Sequence, residues 1–218
     1  MMRLRVPRPV VLVTLASAAL LAAACGRPDP VAADTATAVA TVAPVAAAAD
    51  PLPVDSLLPP GEALRRFREG LPVVAAFAGG APSRDSLVRS FVGAVARRDT
   101  ALVNRLIVSR AEFAHLLYPS SPLREPPYGL EPQMMWFQLR TQSEKGIGRL
   151  FDRLGGQPLA LVGHDCPAAA LVQGANRVWE GCTVRLRDAD GQVRAHRLFG
   201  AIVERDGQYK FVGYGNDL

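Results

Sequence analysis

Between Asp85 and Arg97 the apolar residues fall at Leu87, Val88, Phe91, Val92 and Val95. That spacing predicts an amphipathic helix with one buried face. Asp99 stands as the cap of a short second helix carrying Leu102, Val103, Leu106 and Ile107. Ser109-Arg110-Ala111-Glu112 reads as a capping box opening a third helix, which Pro119 ends. After the proline-rich stretch SSPLREPPYGLEP, a long helix is expected from about Gln133 to Leu154. Its stripe is Trp136, Leu139, Ile147, Leu150, Phe151 and Leu154, closed by Gly155-Gly156. Gly146 and Gly148 interrupt it, which predicts a kink or a close backbone approach.

Beyond Gly156 the period changes from helical to two. Leu159 to Gly163 is a short apolar strand, and Cys182 to Arg187 alternates, with Cys182, Val184 and Leu186 on the inner side. Asp188-Ala189-Asp190-Gly191 predicts a turn, followed by one long strand, QVRAHRLFGAIVE, whose second half is apolar on both faces. Arg205-Asp206-Gly207-Gln208 is the next turn, and Tyr209 to Tyr214 the last strand. The fold class is therefore α+β: N-terminal helices packed on one face of a C-terminal curved antiparallel sheet.

The start of the chain follows a different logic. Arg3, Arg5 and Arg8 precede an apolar run from Val10 to Ala24, as in a secretory signal. The run falls short of the about 20 apolar residues that a bilayer-spanning helix needs. Leu21-Ala22-Ala23-Ala24-Cys25 resembles the lipobox of bacterial lipoprotein signals, with Ala22 where that family usually has leucine. The resemblance implies cleavage before Cys25 and acylation of that cysteine. It also implies a membrane anchor, and an outer-membrane, periplasm-facing location in cells with two membranes. Two or more acyl chains anchor stably where one does not. From Arg27 to Pro60, alanine, proline, valine and threonine dominate with no amphipathic period, so this stretch reads as a disordered tether. Fully extended, it would reach on the order of 100 Å. The organisation expected is signal 1–24, lipidated cysteine and tether 25–60, and one domain 61–218.

Composition narrows the chemistry. The net charge is +5, part of it in the signal arginines, and no basic cluster is interleaved with aromatics, so nucleic-acid binding is not indicated. With Cys25 assigned to lipid, Cys166 and Cys182 remain, and an exported domain would pair them as a structural disulfide. No nucleophile elbow, zinc helix or phosphate loop occurs. The histidines, His115, His164 and His196, lie at no metal-ligand spacing, so no metal or cofactor is expected. His115 reads as a hydrogen-bonded, half-buried residue, and His164-Asp165 as a strand end beside the disulfide. His196 with Arg185, Arg187 and Arg194 could line one sheet face as an anion site, and a solvated outer face explains them equally well. The candidate pocket or partner surface is Tyr128, Trp136, Arg140 and Glu144, the last two four apart on one helix face. The regular stripe from Trp136 to Leu154 nevertheless favours core for the aromatics, Trp136 above all, with Arg140–Glu144 an ordinary surface pair, so Trp136→Ala is expected to unfold the domain.

The order of elements from Ser83 to Asp217 resembles the nuclear transport factor 2-like superfamily, in which helices cradle a curved sheet. A cystatin-like sheet around one helix is the alternative. The superfamily resemblance implies a pocket between the long helix and the sheet, for an unknown small molecule or an envelope protein. The expected function is a non-enzymatic binding or interaction module. A small periplasmic enzyme with a histidine–carboxylate pair, and an envelope-assembly scaffold, are the alternatives. Replacing Cys25 with serine should abolish acylation and release the domain from the membrane fraction. A Cys25→Ser protein that still took up a palmitate analogue would refute the anchor.

Overall fold

The computed structural model describes residues 58–188 and 190–218. The signal, Cys25 and nearly all of the tether lie outside the described residues. The first helix, α1 (Pro60–Arg68), starts at the last tether residue and is one the periodicity does not announce. Its Phe67 meets the Phe113 ring edge-on at 5.8 Å.

Helix α2 (Arg84–Ala96) begins at Ser83, whose side chain forms a reciprocal capping box with Ser86, and buries all five stripe residues. Helix α3 (Thr100–Leu106) is capped by Asp99, which accepts the Leu102 N–H. The Ser109–Glu112 box opens α4 (Arg110–Glu112), but the helix does not continue as α. Phe113–Leu117 is π-helical and Tyr118–Ser120 is a 3₁₀ turn. The physical reason is aromatic: the Tyr118 N–H reaches the Phe113 carbonyl, and that wider turn brings the two rings together, tilted at 54° with centroids 5.9 Å apart. The Tyr118 hydroxyl then donates to the Leu130 carbonyl.

Helix α5 (Pro132–Leu154) runs 23 residues without a break, and of its two glycines Gly146 marks the expected close approach. A Cβ at Gly146 would collide with the Tyr214 carbonyl, whereas one at Gly148 would meet nothing. The bare backbone at Gly146 lets the late chain lie against the helix. There Ser143 Oγ accepts the Tyr214 N–H at 3.1 Å, and Asn216 Nδ2 donates to the Gly146 carbonyl at 2.8 Å. Arg149 donates to the Asn216 carbonyl at 3.0 Å.

The strands make two antiparallel sheets, which corrects the expected single meander. Strands β1 (Ala160–Asp165), β4 (Thr183–Arg187) and β5 (Val193–His196) form one, in the order β1-β4-β5. Strands β2 (Leu171–Gln173), β3 (Asn176–Glu180), β6 (Ala201–Arg205) and β7 (Gln208–Phe211) form the other, in the order β2-β3-β6-β7. The expected long strand is broken at Arg197–Gly200, its halves belonging to different sheets. Leu198 and Phe199, both fully buried, occupy the break and pack into the first core. The chain leaves β4 there and re-pairs with β3. The β6–β7 hairpin turns on Asp206 and Gly207, both at positive φ, as a two-residue turn requires. Strand β7 is covered along its outer edge by Ala81 and Ile107.

The four-stranded sheet is buried on both faces, a second correction. Trp179, Ile202 and Phe211 point into a core with α2 and α3, where Phe91 stacks on Tyr214 at 5.1 Å. Their neighbours Val178 and Val203 point the other way, into a core with Phe67, Phe77, Phe113 and Leu116. Cys166 and Cys182 are disulfide-bonded across the end of the β1–β4 pair. A loop of that length contributes about 3 kcal/mol through chain entropy.

Lys210 lies beside Val203 on the second face and is 3% exposed, as is Glu112. Its ammonium donates to both carboxylate oxygens, at 3.0 and 2.9 Å, and to the Ala78 carbonyl at 2.9 Å. Glu112 also accepts the Ser109 and Ala78 N–H groups, each at 2.7 Å. Burial pushes its carboxyl up, but the bonds from Ser109, Lys210 and Ala78 outweigh this and hold it below the ordinary 4.5. A lowered folded-state value adds stability above the unfolded value, which is lost as pH falls through the folded one. Lys210→Met should therefore cost about 3–5 kcal/mol at neutral pH by stranding the carboxylate. The stability gap between the natural protein and Glu112→Gln should shrink as pH drops below 4.5. Urea unfolding at several pH values measures both, and a gap independent of pH would overturn the assignment.

Candidate functional site

Helix α5 divides the surface around it. The first half of the helix rests on the second core through Met135, Trp136 and Leu139, the second half on the first core through Leu150. Space is left on both sides of the first half.

On one side is a cleft of about 560 Å³ between α5, the π-helical segment and the four-stranded sheet. Phe113, Leu117, Leu123, Met135, Leu139, Val178, Ala201 and Val212 make its walls. Ser121, Gln138, Gln142, Gln173 and Glu180 are its polar groups. It continues, through shared Leu139, Gln142, Glu180, Ala201 and Val212, into a glycine-lined cavity of about 480 Å³ that ends at Arg197. Leu171 of the cleft is 53% exposed. Phe137 of α5 is 62% exposed and Val172 of β2 is 75% exposed.

On the other side of α5 is a cavity of about 410 Å³, facing the Ile107–Arg110 connection. Three of the four residues singled out in the sequence meet here: Trp136, Arg140 and Glu144. Arg140 Nε and Glu144 Oε1 are 2.6 Å apart on the exposed helix surface. Trp136 is half-buried, its ring 5.3 Å from Phe113. Tyr128 is elsewhere, in the loop before α5, 63% exposed and in none of these cavities. Arg110, which the sequence reading passed over as a capping-box interior, joins the rim. Gln138 and Gln142 were legible as an i, i+4 pair of α5, but nothing in the sequence says that a sheet faces them.

The histidines stand apart from these cavities. His115 is half-buried as expected, but its Nε2 has no hydrogen-bond partner, so the expected hydrogen bond is not made there. Burial, then the nearby Arg68, hold it below its ordinary value. His164 is also held down, by burial above all, against the opposing pull of Asp85. Strand alternation turns Asp165 away from it, toward Arg185 at 2.9 Å. The expected single face of Arg185, Arg187, Arg194 and His196 does not form. Cross-strand pairing sets His196 beside Val184 and Arg194 beside Leu186, while Arg185 and Arg187 face the other way. Among the described residues no group of three or more His, Cys, Asp or Glu could hold a metal ion.

With this geometry in hand, comparison with protein-family models, with curated proteins and with solved structures returns no match. What the chain can do rests on its own residues.

Because Trp136 is a cavity wall as well as a neighbour of Phe113, Trp136→Ala should leave a folded domain, destabilised by about 1–3 kcal/mol. Full burial would cost about 3–5 kcal/mol. Arg140→Ala should leave the melting point unchanged, its ion pair being solvated. Thermal melts of both variants decide it: an unfolded Trp136→Ala protein would return the residue to the core.

Proposed function

We propose that the chain is a lipid-anchored envelope protein whose domain is a non-enzymatic ligand-binding module of the nuclear transport factor 2-like type. The observation that carries the reading is the cleft beneath α5. Its walls are mostly apolar, and its few polar side chains are three amides, one hydroxyl and one carboxylate, groups that orient a ligand through hydrogen bonds. Its volume lies in the range of small-molecule sites, roughly 300–1,000 Å³. Helices followed by antiparallel strands, with a long helix standing over a sheet, support the superfamily assignment. Two sheets with helices on both faces fit a cystatin-like arrangement less well.

Anchorage at Cys25, and an outer-membrane position facing the periplasm, belong to the same proposal and rest on the signal sequence. The enzymatic alternative needs a histidine and a carboxylate in one cavity, and none of the three cavities around α5 has a histidine in its lining. The interaction alternative draws on Phe137, Leu171 and Val172, apolar side chains exposed on α5 and β2.

A neutral apolar fluorophore, N-phenyl-1-naphthylamine, tests the cleft. It should brighten on binding the natural protein. Ala201→Phe, which fills the floor, and Gln142→Trp, at the exposed rim, should each weaken uptake by about tenfold or more while the fold melts cooperatively. Uptake unchanged in both variants would remove the cleft as the binding site.

A further inference from the structure

We infer that the cavity on the other side of α5 is a second site, built for a small apolar carboxylate. Arg110 and Arg140 would take its anionic head and Trp136 its apolar body. The inference stands on that cavity alone and does not require the cleft.

Charge is the first ground. Two arginines line one cavity, and Glu144, paired with Arg140, is the single carboxylate among its lining residues. Glu144 holds Arg140 through Nε, which leaves that group's terminal nitrogens without a carboxylate among the described residues. Arg110 has no ion-pair partner among the described residues. Its Cζ lies 4.7 Å from the centre of the Phe67 ring, a cation–π contact that uses none of its N–H donors. One positive charge is therefore in excess at the mouth of the cavity, carried by the residue type suited to planar, bidentate anion recognition.

The lining is the second ground. Behind the arginines the walls are the Trp136 ring, Ile107, Leu139 and Ile147. Bare phosphate or sulfate would leave those walls uncovered, and a neutral apolar molecule would leave the arginines unanswered. A ligand with one anionic end and a flat or aliphatic body satisfies both. The opposite cleft, with amides and a lone Glu180, lacks such a cation pair, so the two sites should select different ligands.

Isothermal titration of the full chain with 2-naphthoate, and with uncharged 2-naphthalenemethanol, tests this. Naphthoate should bind at least about tenfold more tightly than the alcohol, since a hydrogen bond to a charged group outweighs a neutral one by that factor or more. Arg110→Gln and Arg140→Gln should each weaken naphthoate by about tenfold and leave the alcohol within about twofold. Both side chains are exposed, so an unchanged melting point verifies the fold in each variant. Glu144→Gln should tighten naphthoate binding, a gain that no merely structural role for the pair would produce. Ala201→Phe in the cleft should leave it unchanged. Equal binding of acid and alcohol, no binding of naphthoate, equal losses of both probes in the arginine variants, or displacement by equimolar sulfate would each overturn the inference.

Discussion

The buried ion pair between Glu112 and Lys210 is the constraint on which the rest of the domain leans. Burying two charges costs several kcal/mol per ion unless every lone pair and proton finds a partner. Here the carboxylate has four donors and the ammonium three acceptors. The chain is otherwise rich in arginine, yet it places a lysine here. A compact ammonium with three divergent donors can reach two carboxylate oxygens and a carbonyl, which a flat guanidinium cannot do in the same volume. The pair ties Ala78, just before α2, to the capping box of α4 and to β7. With α4 held there, Phe113 and Leu117 fall where they wall the cleft, and Arg110 where it faces the other cavity.

Helix α5 then acts as a partition. Leu139 and Val212 line the spaces on both sides of it, so one contact between helix and sheet separates two chemically different compartments. The helix can lie that close because Gly146 carries no side chain where the Tyr214 carbonyl passes. The side chains that follow along one edge of the helix, Ser143 and Arg149, are spent on the late chain, not on a ligand. The stretch of helix from Met135 to Ile147 lines the binding spaces, and its exposed aromatic and apolar residues cluster toward its start.

Much of this was legible in local signals. The α2 stripe, the Asp99 and Ser109 caps, the Asp206-Gly207 hairpin and the disulfide all follow from residues near one another in sequence. What escaped depends on residues far apart. Glu112 reads locally as a capping-box residue, and nothing nearby reveals that Lys210 will complete it. The Leu198-Phe199 break is hidden within an apolar run that suits a central strand equally well. Strands β2 and β3 are short, and the face of β3, on which β2 then pairs, is set by its partners in β6. The π-helical turn at Phe113 answers to a ring five residues on, outside the ordinary helical spacing. For the site, the i, i+4 relation of Arg140 and Glu144 was visible, whereas the arrival of Arg110 opposite them needed the tertiary fold.

The contacts that close the two cores join residues very distant along the chain. Lys210 bonds to residues 98 and 132 positions earlier, and Tyr214 donates to the Val103 carbonyl 111 positions back. Helix α2 has the pattern of a helix but no core until Phe211 and Tyr214 arrive to cover Phe91. Such long-range closure makes folding slow compared with a bundle of local contacts. As the chain emerges from its N-terminal end, its helices remain half-finished surfaces until the last hairpin is delivered. The domain is thus completed from its end backward, and a cut or stall ahead of β7 leaves both cores open at once.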